Sequence, residues 1–317
     1  MEQNQAAHIA AIGEVMVELS PYPTAQEESR EIKALSYAGD TYNTSVYMAR
    51  LGLKTDYVTL LGDDAYSDQI LQRMQDENIG AEMIERRAGR APGLYIIRNT
   101  PDGEREFLYW RSEAPARELF SDPTASVRLY QQLQQCDCIY LSGITLAIMA
   151  ESARTSLLEC LSKLRAKGAK IAFDSNYRPR LWSSATEAQK AMTAVIKQVD
   201  IALLTLDDEA LLWGDDTLKG CKKRYPDTPE LVLKRGADET ILLVDGKESR
   251  VPVPPVDNVI DTTGAGDTFN AGYLAARLQG ASPEESAANG TRCARVVIQH
   301  RGGVIDKPLF ESELQTL

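Results

Sequence analysis

Alternation between two hydrophobic rhythms constrains this chain more than any other feature. Short β-rich runs (HIAAIGEVMVEL, TDYVTLLG, DCIYLSG, KIAFDSN, IALLT, ELVLKRG) take turns with helical stretches (TYNTSVYMARLG, AYSDQILQRMQDENIG, ESARTSLLECLSKLRAKG and one near residues 186–198). Parallel strands need a crossover long enough to hold a helix, so this order predicts βαβ units. The expected fold is α/β and doubly wound: three α/β/α layers around a mostly parallel central sheet.

Two segments break the rhythm. Residues 16–38 and 91–111, the latter containing GLYIIRNTPDGEREFLYWR, read as extended strands and a hairpin with a PDG turn and no helix between them. They fit a parallel sheet poorly and are expected to form a small antiparallel lid, which in group transfer would exclude water. No linker, repeat or charge block divides the 317 residues, so the chain is read as one domain, residues 1–317, with the lid inside it. SPEE, with Ser282, Pro283 and Glu285, is a capping-box start for what reads as the terminal helix.

Composition removes several classes of function. A formal net charge of -11 argues against a broad nucleic-acid surface. No apolar run approaches the ~20 residues that cross a bilayer, and MEQNQAAH lacks the basic and apolar parts of a secretory signal, so a cytoplasmic protein is expected. Five cysteines, an odd number, speak against a disulfide framework. Cys136 and Cys138 are the only close pair. The two histidines, His8 and His300, are too few and too far apart in sequence to suggest a triad or a histidine metal centre.

The chemistry concentrates in DTTGAGDTFNAGYLAARLQG, residues 261–280. Phe269, Gly272 and Tyr273 share one helical stripe, Ala271, Leu274, Ala275 and Leu278 the next, and Gly280 ends the run. Gly264, Ala265 and Gly266 therefore open a helix, where unpaired N–H groups and the helix dipole favour an anion. Asp267 in that first turn could be an ordinary dipole partner. Beside glycines that bare their N–H groups, it reads instead as a base that deprotonates a hydroxyl while the turn receives negative charge, as phosphoryl transfer requires. No GxxxxGK[ST] loop and no protein-kinase motif set is present. A dinucleotide fingerprint fails because Phe269 stands where the third glycine belongs.

DTTGAGD followed by a helix resembles the signature of the PfkB, or ribokinase-like, carbohydrate kinases, and the resemblance covers nearly the whole chain. AGDTYNTSVYMARLG, GLYIIRNTPDGEREFLYWRSEA, FDSNYRPRLW and LLTLDDEALLWG resemble the subgroup acting on 2-keto-3-deoxygluconate. The resemblance implies a ribokinase-like fold and transfer of phosphate from ATP, with Mg2+, to the 6-hydroxyl of that sugar acid. It implies Asp267 as base and Gly264, Ala265 and Gly266 as anion hole. Gly39, Asp40 and Asn43 match the family's early substrate turn, and Tyr95, Tyr109, Arg111 and Arg178 match sugar-acid contacts. Asn176, Lys234, Gly236 and Asn289 fall on the nucleotide side.

Independent chemistry supports part of this assignment. Guanidinium forks suit the carboxylate that a neutral hexose lacks, which makes Arg111 and Arg178 the candidates for acid recognition. Competing structural roles remain open: Tyr95 and Tyr109 as aromatics of the lid core, Asp40 and Asn43 as helix caps, Asn289 as an exposed helical residue. The chain departs from the family pattern in two places. Glu239 replaces the usual second glycine of the VLKRGADE loop, and Thr205 and Asp208 stand where an NxxE pair handles magnesium, which leaves the metal ligands unassigned with Asp208 the one candidate. A monovalent-cation site and a homo-oligomer are compatible with the family. The alternatives are a kinase for fructose, ribose or 2-keto-3-deoxygalactonate, or a non-catalytic sugar- or nucleotide-binding protein.

Overall fold

The computed structural model describes residues 6–27, 30–99, 105–215 and 217–316. Its strands are β1 (His8–Ile12), β2 (Met16–Glu27), β3 (Arg30–Ala38), β4 (Lys54–Gly62), β5 (Ile79–Gly80), β6 (Ile84–Arg87), β7 (Leu94–Asn99) and β8 (Arg105–Trp110). They continue with β9 (Cys138–Ser142), β10 (Lys170–Asp174), β11 (Ile201–Thr205), β12 (Glu230–Lys234), β13 (Thr240–Val244) and β14 (Lys247–Val251). The main sheet runs β14-β13-β12-β11-β10-β9-β1-β4-β5, with β6 also pairing β4. Every pairing from β12 across to β5 is parallel.

The strands alternate faces because successive side chains of a strand point to opposite sides. Ala10, Ile12, Ile139, Leu141, Ile171, Phe173, Ala202 and Leu204 enter one core, closed by helices that include Pro123–Leu133, Glu151–Ala166 and Ala185–Ile196. Ile9, Ala11, Cys138, Tyr140, Ala172, Ile201 and Leu203 enter the other, beneath Asp40–Arg50, Ala265–Leu278 and Pro283–Val297. Each fully buried leucine or isoleucine contributes about 1.5–3 kcal/mol, so this two-sided burial dominates the fold's stability. The α/β/α layers and mostly parallel sheet agree with the sequence reading.

The edge hairpin β13–β14 is antiparallel, a feature the strand–helix alternation does not contain. Its local signal is Asp245-Gly246, both in the left-handed region at φ 47° and 79°, as a tight two-residue hairpin demands. Ser282 and Glu285 form the expected capping box, but a further helix, Lys307–Thr316, follows, so SPEE does not open the terminal helix. All five cysteines are free and buried.

The second sheet, β3-β2-β7-β8, pairs β2 with β3 and β7 with β8 antiparallel and β2 with β7 parallel. Met16, Ala38, Tyr95 and Ile97 pack together on it, with Phe107 against them. The PDG turn at 101–103 lies outside the described residues.

Candidate active site

Parallel sheets bind ligands beyond the C-terminal ends of their strands, where the strand order reverses. Here the reversal falls at β1, with β4 on one side and β9 to β12 on the other. Glu14 follows β1, Ser142 ends β9, Asp174 ends β10, Thr205 ends β11 and Lys234 ends β12, so polar groups collect at one end of the sheet.

The helix Ala265–Leu278 starts over this end. Its N-cap, Gly264, sits at φ 74° and receives no side-chain cap. A Cβ at Gly264 would lie 2.7 Å from the Cα of Gly303, so both the dihedral and the close approach require glycine. The helix start thus presents backbone donors and a positive dipole end. Asp267, in the first turn, accepts a hydrogen bond from Asn43 Nδ2 at 2.9 Å. Burial, reinforced by the carboxylates of Asp40 and Asp174, pushes the Asp267 carboxyl up to about 8 against the opposing pull of Asn43 and Lys234. Three acids facing one small volume is the arrangement that creates a base working near neutrality.

Asn43 is held in turn by Gly39, whose carbonyl accepts from Asn43 N at 2.7 Å and whose N–H donates to Asn43 Oδ1 at 3.4 Å. Asp40 opens the helix without capping it; its Oδ2 accepts from Asn176 Nδ2 at 2.8 Å, and burial raises its carboxyl above the ordinary value. Asn176, strained at φ 27°, thereby ties the FDSN loop to the start of the Asp40–Arg50 helix. Lys234 is buried and donates to Asp174 Oδ2 at 3.1 Å and Asn270 Oδ1 at 2.9 Å, while Asn270 Nδ2 donates to Asp174 Oδ2 at 2.6 Å. Its ammonium also lies 3.8 Å from where a Cβ on Gly266 would stand, adding positive charge beside the helix start.

The remaining expected residues are more widely spread. Tyr95 is buried and donates its hydroxyl to Glu18, which also accepts from Ser36 Oγ at 2.8 Å. Tyr109 is 47 % exposed, its ring 5.5 Å from that of Tyr95 and beneath the Arg111 guanidinium at 5.7 Å. Arg111 is buried and ion-paired with Glu14. Arg178 is exposed and donates to Asp208 Oδ1 at 3.1 Å and to its neighbour's carbonyl, Tyr177 O, at 2.8 Å. Burial raises the Asp208 carboxyl although Arg178 opposes the shift; Thr205 is the N-cap of its helix and makes no side-chain cap bond. Gly236 turns the chain after β12 at φ 61°. Asn289 is half-buried instead of exposed and donates to Gly272 O at 2.8 Å, a clasp between two helices.

A cavity of about 260 Å³ lined by Leu206, Leu218, Leu233, Arg235, Ile241 and Arg250 opens beside the Lys234–Gly236 turn. A larger one of about 500 Å³, including Lys170 and Asp200, lies at the opposite end of β10, away from these groups. At that same far end three residues unconnected in the sequence reading come together. His8, Asp56 and Cys136 come within 4.8 Å of one another, buried, although their distance in sequence gave no sign of it. His8 Nε2 bonds Asp56 Oδ2 at 2.7 Å and His8 Nδ1 meets Gln135 O at 3.2 Å, which satisfies the polar atoms internally.

Asp174, Asn270 and Glu14 were not picked out from the sequence. Asp174 and Glu14 carried a usable signal, an acid at or just past the C-terminal end of a β-rich run. Asn270 had none, because its role depends on contacts 36 and 96 residues away.

Among the described residues no helix is long and apolar enough to cross a membrane. Residues 6–309 match the pfkB family of carbohydrate kinases. The chain is 44 % identical over 309 residues to the 2-dehydro-3-deoxygluconokinase of Escherichia coli K12, covering 94 % of this chain and 97 % of that one. Its fold is similar to the crystal structure of the Thermotoga maritima 2-dehydro-3-deoxygluconokinase, at TM-score 0.82 and 19 % identity over 98 % of this chain and 99 % of the other. An Escherichia coli protein crystallised with ATP and Mg2+ is similar at TM-score 0.82 and 20 % identity, over 98 % and 100 %. With a glycine-opened, uncapped helix start, a raised aspartate and a family match over residues 6–309 in agreement, the chain belongs to the pfkB family of carbohydrate kinases.

Proposed function

We propose that this chain transfers phosphate from ATP to the 6-hydroxyl of 2-keto-3-deoxy-D-gluconate, forming the 6-phosphate. The observation that carries the reading is Asp267: a carboxyl raised to about 8, bonded to Asn43, in the first turn of an uncapped helix start. Asp267 takes the proton of the acceptor hydroxyl. The N–H groups of the Gly264–Asp267 turn and the nearby Lys234 ammonium stabilise charge that develops on the transferred group. Asn43 holds the base in place.

Arg178 and Arg111 recognise the substrate carboxylate, while Tyr95 and Tyr109 close over the sugar from the second sheet, which acts as a lid. All of this belongs to one kinase unit spanning residues 1–317. The cavity beside Gly236, lined by Arg235 and Arg250 together with aliphatic side chains, takes the adenine side of the nucleotide.

Magnesium, when bound with ATP, neutralises phosphate charge during transfer. Asp208 suits a contact through water better than direct ligation, because its carboxyl is already engaged with Arg178. The names of relatives at 41–44 % identity support the choice of substrate.

An ADP-release assay over 2-keto-3-deoxygluconate, its galactonate epimer, fructose and ribose tests the reading. The gluconate should give the highest kcat/KM. A neutral sugar used better than either acid would overturn it.

A further inference from the structure

The polypeptide crosses between the two sheets four times, and the crossings meet around one residue, Glu14. Glu14 lies between β1 and β2, Gly39 follows β3, Gly93 precedes β7 and Arg111 follows β8. A Cβ on Gly39 would stand 2.1 Å from Glu14 O. One on Gly93 would stand 3.0 Å from Glu14 Oε1 and 3.1 Å from the Arg111 Cβ, and Gly93 O accepts from Val17 N at 2.8 Å. Gly39 thus makes room for the Glu14 backbone and Gly93 for its carboxylate, in a residue only 3 % exposed.

That carboxylate spends one oxygen on Arg111 Nη2. Its other oxygen, Oε1, and the Arg111 Nε are both buried without a hydrogen-bond partner among the described residues. Leaving such atoms unpaired is costly, and replacing a buried pair by apolar side chains is often neutral or stabilising, so packing alone gives little reason to retain this one. Its position supplies a reason: one partner anchors in the crossing out of the main sheet, the other in the crossing back from the lid.

We propose that Glu14 is a positioning residue that sets the reach and orientation of Arg111 toward the substrate carboxylate, and so fixes acid specificity at the junction of lid and main sheet. This rests on the reading above that Arg111 meets the acid. Glu14 itself touches no substrate. It acts through the length of its side chain, because the Nη2 contact positions the guanidinium.

Steady-state kinetics of Glu14→Asp, Glu14→Gln, Arg111→Ala and the Glu14→Asp/Arg111→Ala double variant test this. Glu14→Asp keeps the charge and withdraws the oxygen by one methylene. It should raise KM for 2-keto-3-deoxygluconate about tenfold or more, with KM for ATP within about twofold and kcat within about threefold, the size expected for one misplaced charge-assisted bond. Glu14→Gln keeps the reach and should stay within about threefold of the parent enzyme. In the double variant the Asp substitution should add nothing beyond Arg111→Ala.

A raised KM in Glu14→Gln with a normal one in Glu14→Asp would assign the effect to charge and overturn the proposal. Equal losses for both substrates, or additive effects in the double variant, would overturn it as well. Failure of the underlying reading looks different: Arg111→Ala would then leave the KM for the acid unchanged.

Discussion

The two ends of the central sheet each gather ionisable side chains, and they treat them in opposite ways. At the N-terminal end His8, Asp56 and Cys136 close on one another: the imidazole bonds the carboxylate at 2.7 Å, and burial pushes the Cys136 thiol up to about 12, so it stays protonated. At the C-terminal end Asp267, Asp40 and Asp174 repel one another across a shared volume, and burial raises both Asp267 and Asp40. A polar cluster that serves the fold is neutralised by its own members. In the one proposed to serve chemistry burial and the neighbouring carboxylates raise Asp267 despite Lys234, and the proposed ligands would complete it. That distinction adds to a difference in burial, since His8, Asp56 and Cys136 are buried whereas Asp40 and Asp267 are half-buried.

The largest effect that could break this contrast is on turnover. Asp267→Asn should lower kcat by about two to four decades, the usual share of a positioned base, while both binding constants stay near normal. In the parent enzyme kcat/KM should rise with pH through about 8, because only the ionised carboxylate accepts the proton; the variant should lose that limb. Stopped assays across pH with binding measured by calorimetry check both parts. Near-normal turnover in the variant would remove Asp267 from the chemistry.

A smaller effect belongs to Arg178, which is exposed and held only by Asp208 and a backbone carbonyl. Arg178→Ala should raise KM for the keto acid about ten- to a hundredfold, since a hydrogen bond to a charged group contributes about 1.5–3 kcal/mol, and leave KM for ATP within twofold. Equal changes in both constants would place Arg178 on the nucleotide side, next to Asp208, and would sharpen the map of the charged end accordingly.

The unequal legibility of the two ends has a physical origin. Gly264, Gly266 and Asp267 are neighbours in sequence, and a helix start is a local event, so residue types at fixed spacing reveal it. The layers were legible for a similar reason, because strand and helix periods are local. What the sequence withheld are contacts closed by topology. Lys234, Asp174 and Asn270 meet from two strands and a helix, and His8 finds Asp56 and Cys136 only once β1 lies between β4 and β9. Arg111 shows an intermediate case. Its place after an aromatic strand is local, whereas its pairing with Glu14 spans 97 residues and forms only when the lid strands return to the main sheet.

The smallest effect concerns stability, where the two ends should respond with opposite signs. Asp56→Ala strands the His8 imidazole in a buried site and should cost about 1–3 kcal/mol with kcat unchanged. Asp267→Asn removes an acid held against its preference, and should stabilise the ligand-free protein by an amount that grows with pH. The sign with pH follows from the shift. An aspartate titrates near 3.9 when unfolded and Asp267 near 8 when folded, so the folded parent binds the extra proton and loses stability as pH rises between those values. The advantage of Asp267→Asn should therefore be near zero at about pH 4 and greatest above pH 8, whereas the Asp56→Ala penalty should not follow that curve. Urea unfolding of the three ligand-free proteins at several pH values measures both. A pH-independent difference for Asp267→Asn would mean that its carboxyl is not strained in the resting fold, and the contrast between the two ends would fail at its most exposed point.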